Sequence, residues 1–197
     1  MNLHEIGWAH YAPETAPDPT CGRVALVHRE HCIVWTADGE VTATPSGHLR
    51  HLDQDPPCVG DWVILRERAV ISQVLPRRMQ LSRKESGKRL REQVLAANMD
   101  LLFVVSGLDR DYNPRRLERY LVLAHESGAR PVILLNKADL RGDIADVVRL
   151  TERHAPGVPV LALSALDQWG LDAIARNAEP GQTGALIGSS GAGSRPS

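Results

Sequence analysis

The rhythm of apolar residues changes once along this chain, and the change rules out a single repeated architecture. From Gly22 to Leu75 the apolar runs are short and strand-like: "RVALVH", "HCIVWTA", "EVTATP", "DWVILRE" and "AVISQVL". Runs of this length and period present one face to a core and the other to water. Turn chemistry separates them. Asp38-Gly39, between "IVWTA" and "EVTAT", predicts a tight hairpin, because aspartate and glycine tolerate the backbone such turns require. Five short strands with a longer polar connection from Ser46 to Pro57 predict a small closed barrel of the oligonucleotide/oligosaccharide-binding (OB) kind. An SH3-like barrel would carry nearly the same pattern.

After a basic stretch the rhythm becomes strand, helix, strand. "DLLFVVS" is a wholly apolar strand, and Asn113-Pro114 supplies an N-cap and a first-turn proline for "RRLERYLVLAHESG". Leu117, Tyr120, Leu121 and Ala124 line one face of that helix, and Gly128 stops it. "PVILLN", "VPVLALS" and "QTGALIG" read as further strands, with "DIADVVRLTERH" and "GLDAIARNA" as helices between them. The alternation predicts a parallel α/β sheet, whose ligand sites gather at the carboxyl ends of its strands. The chain of 197 residues is long enough for both cores. The domain expectation is a barrel with an N-terminal extension over 1–76, a basic linker over 77–99 and an α/β domain over 100–197.

Composition narrows the classes further. No run approaches the roughly 18 apolar residues of a membrane helix, and "MNLHEIGWAHYAPETAPDP" lacks the basic and apolar blocks of a secretory signal. A soluble cytoplasmic protein with no membrane partner is expected. Cys21, Cys32 and Cys58 lie far apart without a C-x-x-C pair, so reduced thiols are expected rather than a disulfide or zinc framework. His28 and His31 are expected to flank a turn rather than to hold a metal. Trp35 and Trp62, the aromatics of the barrel half, are expected in its core before any role as stacking platforms. The net charge of −1 exerts no general pull toward nucleic acid. Its distribution is uneven: "RRMQLSRKESGKRLR" carries Arg77, Arg78, Arg83, Lys84, Lys88, Arg89 and Arg91 against the single acid Glu85. Such a run suits a solvated linker and equally a contact with a phosphate backbone, so these seven residues are the candidates for RNA binding.

Three motifs follow strands of the second half. In "NKAD", the Asp139 carboxylate can accept hydrogen bonds from two adjacent N–H groups of guanine, an arrangement adenine lacks. Asn136 and the stem of Lys137 would support the loop and cover the base. "SAL", Ser164 to Leu166, offers a backbone N–H to the guanine carbonyl oxygen. "GSSGAG", comprising Gly188, Ser189, Ser190, Gly191, Ala192 and Gly193, has the glycines that let consecutive N–H groups turn toward an anion. Gly188 and Gly193 match the phosphate-loop pattern G-x-x-x-x-G-K-[ST], yet Ser194 stands at the lysine and Arg195 at the magnesium-binding hydroxyl.

Motif order carries the rest. Guanine-nucleotide domains ordinarily place the phosphate loop before N-K-x-D; here the order is N-K-x-D, S-A, phosphate loop, which is a circular permutation. With a small barrel ahead and the stretch "LSRKESGKRLREQVLAANMDLLFVVSGLDRDYNPRRLERYLVLAHESGARPVILLNKADL", the chain resembles the ribosome small-subunit-dependent GTPase A family from Gly22 to Gly193. The resemblance implies an OB-like barrel followed by an incomplete, circularly permuted P-loop GTPase domain. It implies a monomeric GTP hydrolase acting late in small ribosomal subunit maturation, with the barrel on ribosomal RNA and hydrolysis stimulated by the subunit. By motif match, Asn136, Lys137 and Asp139 would recognise the guanine of GTP or GDP, Ser164 and Ala165 would support it, and residues 188–193 would face the phosphates. The family's catalytic lysine, magnesium-binding hydroxyl, switch regions and zinc domain have no counterpart in this sequence, so no catalytic or metal residue is assigned. The expectation is weak nucleotide binding and no hydrolysis, with nucleotide-independent RNA binding as the alternative. Each lost charge-assisted phosphate bond is worth about 1.5–3 kcal/mol, or at least roughly tenfold in affinity.

One event accounts for the altered loop. A family-like ending K-S-T-L-V written AAG-TCG-ACC-CTC-GTG-A becomes, with one A removed, AGT-CGA-CCC-TCG-TGA. That reads Ser-Arg-Pro-Ser-stop, the residues Ser194 to Ser197. The coding DNA beyond Gly193 is therefore expected to resume, in another frame, with K-S-T-L, a switch motif and a Cys/His cluster. Resequencing across those codons checks this, and the absence of such a frame sinks the single-base explanation.

Overall fold

A computed structural model of the chain describes residues 1–51, 56–67, 69–84, 92–109, 112–189 and 192. Contacts divide it into two units, Met1–Met99 with Pro180–Thr183 and Asp100–Glu179 with Gly184–Ser197. In the first, a helical turn over His4–Trp8 runs into α1 (Ala9–Tyr11), and the barrel strands follow. They are β1 (Cys21–Val27), β2 (Cys32–Thr36), β3 (Gly39–Pro45), β4 (Trp62–Arg66) and β5 (Val70–Val74), with α2 (Gly47–His51) between β3 and β4. The barrel closes in the order β1-β2-β3-β5-β4, with β4 returning to β1. All pairs are antiparallel except the short β3–β5 contact, Thr44 with Val70 and Pro45 with Ile71. The strands occupy the five runs that the apolar pattern predicts, and Thr36 pairs with Gly39 across the expected hairpin.

Alternation explains the core. On β2, Cys32 and Val34 point inward, joining Val24, Ala43, Leu49, Val63 and Ile71. Leu49 arrives from α2, within the connection expected to be plain loop. The Ser46 hydroxyl accepts the Leu49 amide at 3.3 Å and so starts that single helical turn, which is too short to leave a periodic signal. A second cluster joins Leu3 and Trp8 to Cys21 and Trp62. Trp8 and Trp62 meet edge-on at 4.9 Å, a favourable aromatic geometry. Trp62 is thus a core residue as expected, while Trp35 is half-buried and its indole N–H donates to Glu40. All three cysteines are buried, and none forms a disulfide. Burial pushes the Cys21 thiol up to about 12 and raises Cys32 as well, so both remain protonated.

The basic stretch contains an antiparallel hairpin, β6 (Gln80–Lys84) with β7 (Glu92–Ala97). Its base packs on the barrel at Gly60, whose φ is +91° and where an added Cβ would lie 2.0 Å from the Ala97 carbonyl oxygen. Only glycine satisfies both conditions. Asn98 secures the junction: its side chain donates to the Gly60 carbonyl and accepts from the Arg78 amide, and its own carbonyl accepts from Arg23. Arg23 is buried, also donates to Ile6, and lies 5.3 Å from the Trp62 ring centroid.

In the second unit, β8 (Leu101–Gly107), β9 (Arg130–Asn136), β10 (Val160–Ala162) and β11 (Gly184–Gly188) form a parallel sheet in the order β10-β9-β8-β11. The connecting helices are α3 (Pro114–Ser127), α4 (Ile144–His154) and α5 (Asp172–Arg176). Central strands covered on both faces read as continuous apolar runs, as β8 and β9 do. Val104, Ile133 and Leu135 face Leu117, Leu121 and Val147, while Leu101, Phe103, Val132 and Leu134 gather with Leu163. Gly128 ends α3 in the left-handed conformation, as expected. Asn113 sits at the N-cap, but its side chain makes no capping bond; its carbonyl instead accepts the Arg116 and Leu117 amides. Among the described residues β11 pairs only with β8, and Leu186 is 69% exposed.

A buried ion pair of the first unit lies at Asp61, which is fully buried. Its carboxylate accepts Arg77 Nε and Nη2, each at 2.8 Å, and the Cys58 amide at 2.8 Å. Removing the guanidinium leaves a buried carboxylate without its counter-charge, which costs about 3–5 kcal/mol. Arg77→Ala is expected to lower the stability of this unit by that amount in urea unfolding, whereas exposed Arg83→Ala should leave the midpoint unchanged.

Candidate functional site

All three motifs emerge at one end of the parallel sheet. Gly107 at the end of β8 pairs with Asn136 at the end of β9, and the Leu108 amide donates to the Asn136 carbonyl at 2.7 Å. The chain after β10 is drawn to the same end: the Leu163 amide donates to Leu135, and the Ala138 amide to Leu163. Gly188 brings β11 alongside β8, where an added Cβ would lie 2.6 Å from the Val105 carbonyl oxygen. Parallel strands place their carboxyl ends together, which is why motifs separated in sequence converge here.

Asn136 joins the loops. It is 5% exposed, its Nδ2 donates to the Ala192 carbonyl at 2.8 Å, and its Oδ1 accepts the Ala165 amide at 3.0 Å. One carboxamide therefore holds the Ser164–Ala165 turn through its acceptor and the "GSSGAG" loop through its donor. Lys137 follows in the left-handed conformation with φ 64°, and its ammonium reaches Asp109 Oδ2 at 2.6 Å. Asp139 is exposed and, among the described residues, has no hydrogen-bond or ion-pair partner. Ser164 is buried and braces its own loop: its backbone exchanges hydrogen bonds with Trp169, and its hydroxyl accepts the Asp167 amide. The Ala192 amide closes a turn onto the Ser189 carbonyl. Ser190, Gly191 and Gly193 lie outside the described residues.

With the Ser164 and Ala165 amides engaged, the Leu166 N–H of the "SAL" motif has no partner among the described residues, nor has that of Gln168. Asp109 is absent from the sequence-based set. An acid two residues beyond a strand end carries no signal until the β8–β9 register sets it against Lys137. The exposed Asp139 carboxylate, without a partner among the described residues, is an acceptor of the kind the N–H edge of a guanine base can use. Magnesium does not fit the loop as written, because Arg195 holds the hydroxyl position and a guanidinium cannot coordinate a metal. Among the described residues no three His, Cys, Asp or Glu side chains gather where a metal ion could bind.

The candidate RNA contacts divide. Arg77 is bound to Asp61 and to the Pro56 carbonyl, and Arg78 donates to the carbonyls of His10 and Tyr11. Arg83 stands exposed on β6, opposite Gln93. Lys84 belongs to β6 with its side chain outside the described set, and Lys88, Arg89 and Arg91 lie outside the described residues.

A family model for the RsgA GTPase matches residues 74–195. Over 98% of its length the chain is 42% identical to the small ribosomal subunit biogenesis GTPase RsgA of Opitutus terrae and 44% identical to that of Syntrophotalea carbinolica. It spans 58% of the length of each of these relatives. The crystal structure of YjeQ from Thermotoga maritima matches with a TM-score of 0.71 at 23% identity, over 88% of this chain and 62% of that one. YloQ, described as a circularly permuted GTPase, matches with a TM-score of 0.65 at 21% identity, over 93% and 63%. These likenesses agree with the closed five-stranded barrel and separate parallel sheet found here.

Truncating the joining carboxamide isolates its contribution. Asn136→Ala strands the Ala165 amide and the Ala192 carbonyl, each a loss of about 1–3 kcal/mol where buried. Hydrogen exchange at the Ala165 amide is expected to accelerate at least about tenfold, while amides in the middle of β8 keep their protection.

Proposed function

Since the chain belongs to the RsgA GTPase family, we propose that its second unit binds GTP or GDP and that its barrel unit binds the RNA of the small ribosomal subunit. The relatives named above are small ribosomal subunit biogenesis GTPases, and small-subunit maturation in the cytoplasm is the setting proposed for this chain. The observation that carries the nucleotide reading is the division of labour within "NKAD". Asn136 is consumed in holding two loops, while Asp139, three residues on, is exposed with a free carboxylate. Guanine presents two adjacent N–H donors to such a carboxylate, and a site built for those donors discriminates strongly against a base that lacks them. The glycines of "GSSGAG" would turn backbone N–H groups toward the phosphates. With Ser194 at the lysine position those groups act without a cation, so binding is weak and hydrolysis is not expected of this chain. Asp139→Ala is expected to abolish the preference for GDP over ADP in calorimetric titration; an unchanged preference would remove the guanine assignment.

The serine at that position also favours a second reading, in which the chain docks on ribosomal RNA without nucleotide control. Exposed Arg83 and the neighbouring basic residues of the 77–91 stretch supply the positive charge. Binding through phosphates releases counterions, so affinity for small subunits should fall steeply with salt. Insensitivity of that affinity to GTP would select this reading, and a GTP-dependent change would select the first.

A further inference from the structure

We propose that Asp109 is a positioning residue of the nucleotide site: by holding the Lys137 ammonium it keeps the Asp139 carboxylate open to the donor edge of a guanine base. The proposal rests on the reading that residues 136–139 meet that base.

Cations flank Asp139 on both sides in sequence, Lys137 two residues before and Arg141 two residues after. Either could neutralise it, and a carboxylate already bonded to a cation has less acceptor capacity left for a ligand. Neither does. Arg141 forms a two-pronged contact with Asp143 at 2.7 and 2.6 Å, and Lys137 turns to Asp109 at 2.6 Å. The two pairs differ in environment. The Arg141 and Asp143 side chains are 32% and 50% exposed, so water and salt weaken their pairing, whereas the Lys137 side chain is 11% and the Asp109 side chain 28% exposed. A lysine so far withdrawn from water requires a counter-charge. Without Asp109, the carboxylate of Asp139 is the partner closest along the chain.

Independent geometry supports the assignment. Gly107 leaves room for the Asp109 carboxylate, because an added Cβ there would lie 2.9 Å from Oδ1. The left-handed backbone of Lys137, unusual for a residue with a side chain, opens the turn from which its ammonium reaches Asp109 while Asp139 stays exposed. The arrangement sorts charge: Lys137 and Arg141 each have an acid of their own, and the Asp139 carboxylate is left for the ligand.

The test is calorimetric titration with GDP and with IDP, whose base lacks the 2-amino donor, on the full chain and on Asp109→Asn, Lys137→Met, the double variant, Asp109→Glu and Asp139→Ala. Asp109→Asn is expected to weaken GDP binding about tenfold and to shrink the preference for GDP over IDP. Lys137→Met removes the ammonium together with whatever the lysine itself gives the base, so it serves as the reference background for the double variant. In its background Asp109→Asn should cost no more than about twofold, and Asp109→Glu should restore most of the loss. Equal losses from Asp109→Asn with and without Lys137 would mean that Asp109 acts through the fold alone, and the proposal fails. It fails too if Asp109→Asn binds normally while Asp139→Ala does not, an outcome that leaves the guanine site standing. If the unaltered chain shows no preference for GDP over ADP at millimolar nucleotide, or Asp139→Ala changes nothing, the guanine reading falls and takes this proposal with it.

Discussion

A single buried carboxamide, that of Asn136, ties together two loops at the carboxyl end of the parallel sheet in the second unit. No other side chain suits the position equally: the Ala192 carbonyl needs a donor and the Ala165 amide needs an acceptor, 56 and 29 residues away in the chain. Aspartate would lack the donor and lysine the acceptor. Two such hydrogen bonds, one buried and one partly buried, also offset local strain. Lys137, held in the left-handed region immediately afterwards, carries a conformational cost of about 1–3 kcal/mol that the surrounding bonds must cover. The consequence is chemical: the turn that begins at Lys137 leaves Asp139 exposed, and its neighbouring cations are drawn to other acids.

Charge in the first unit behaves differently from what its sequence position suggests. Arg77 and Arg78 open the basic run, yet one neutralises buried Asp61 and the other ties the hairpin base to the N-terminal turn. Buried Arg23 adds a guanidinium to the interior, satisfied by the carbonyls of Ile6, Gly60 and Asn98. A planar group with five donors can bridge segments that have only carbonyls to offer, which an ammonium does less well. Of the seven basic residues, those bound to internal acceptors serve the fold; exposed Arg83 keeps its charge for solvent or for a polyanion.

The elements were legible wherever a run was long enough to show its period. Alternation exposed all five barrel strands, and the two continuous runs "DLLFVVS" and "PVILLN" became the central strands of the sheet. The short pieces were not legible. α2 has five residues and the N-terminal turn is interrupted at Gly7, so neither completes the two periods that would mark a helix. The β6–β7 hairpin was hidden for another reason. Its strands are rich in arginine, lysine and glutamine, and what seats its base is a glycine in a different segment, where the Ala97 carbonyl meets the backbone of Gly60.

At the site, the residues by themselves named the motifs and their order, because discrimination by a carboxylate and backbone cradling by glycines are properties of residue type and spacing. Those readings placed Asn136, Asp139 and Ala165 at the ends of strands before any coordinates. Tertiary structure alone decided how the parts share their work: that the Asn136 carboxamide reaches Ala165 and Ala192, and that Lys137 pairs with Asp109. The reason is physical. Periodicity and motif spacing are local along the chain, whereas a hydrogen bond or ion pair is settled by which groups come within about 3 Å, and that depends on the register of strands whose pairing no local pattern records.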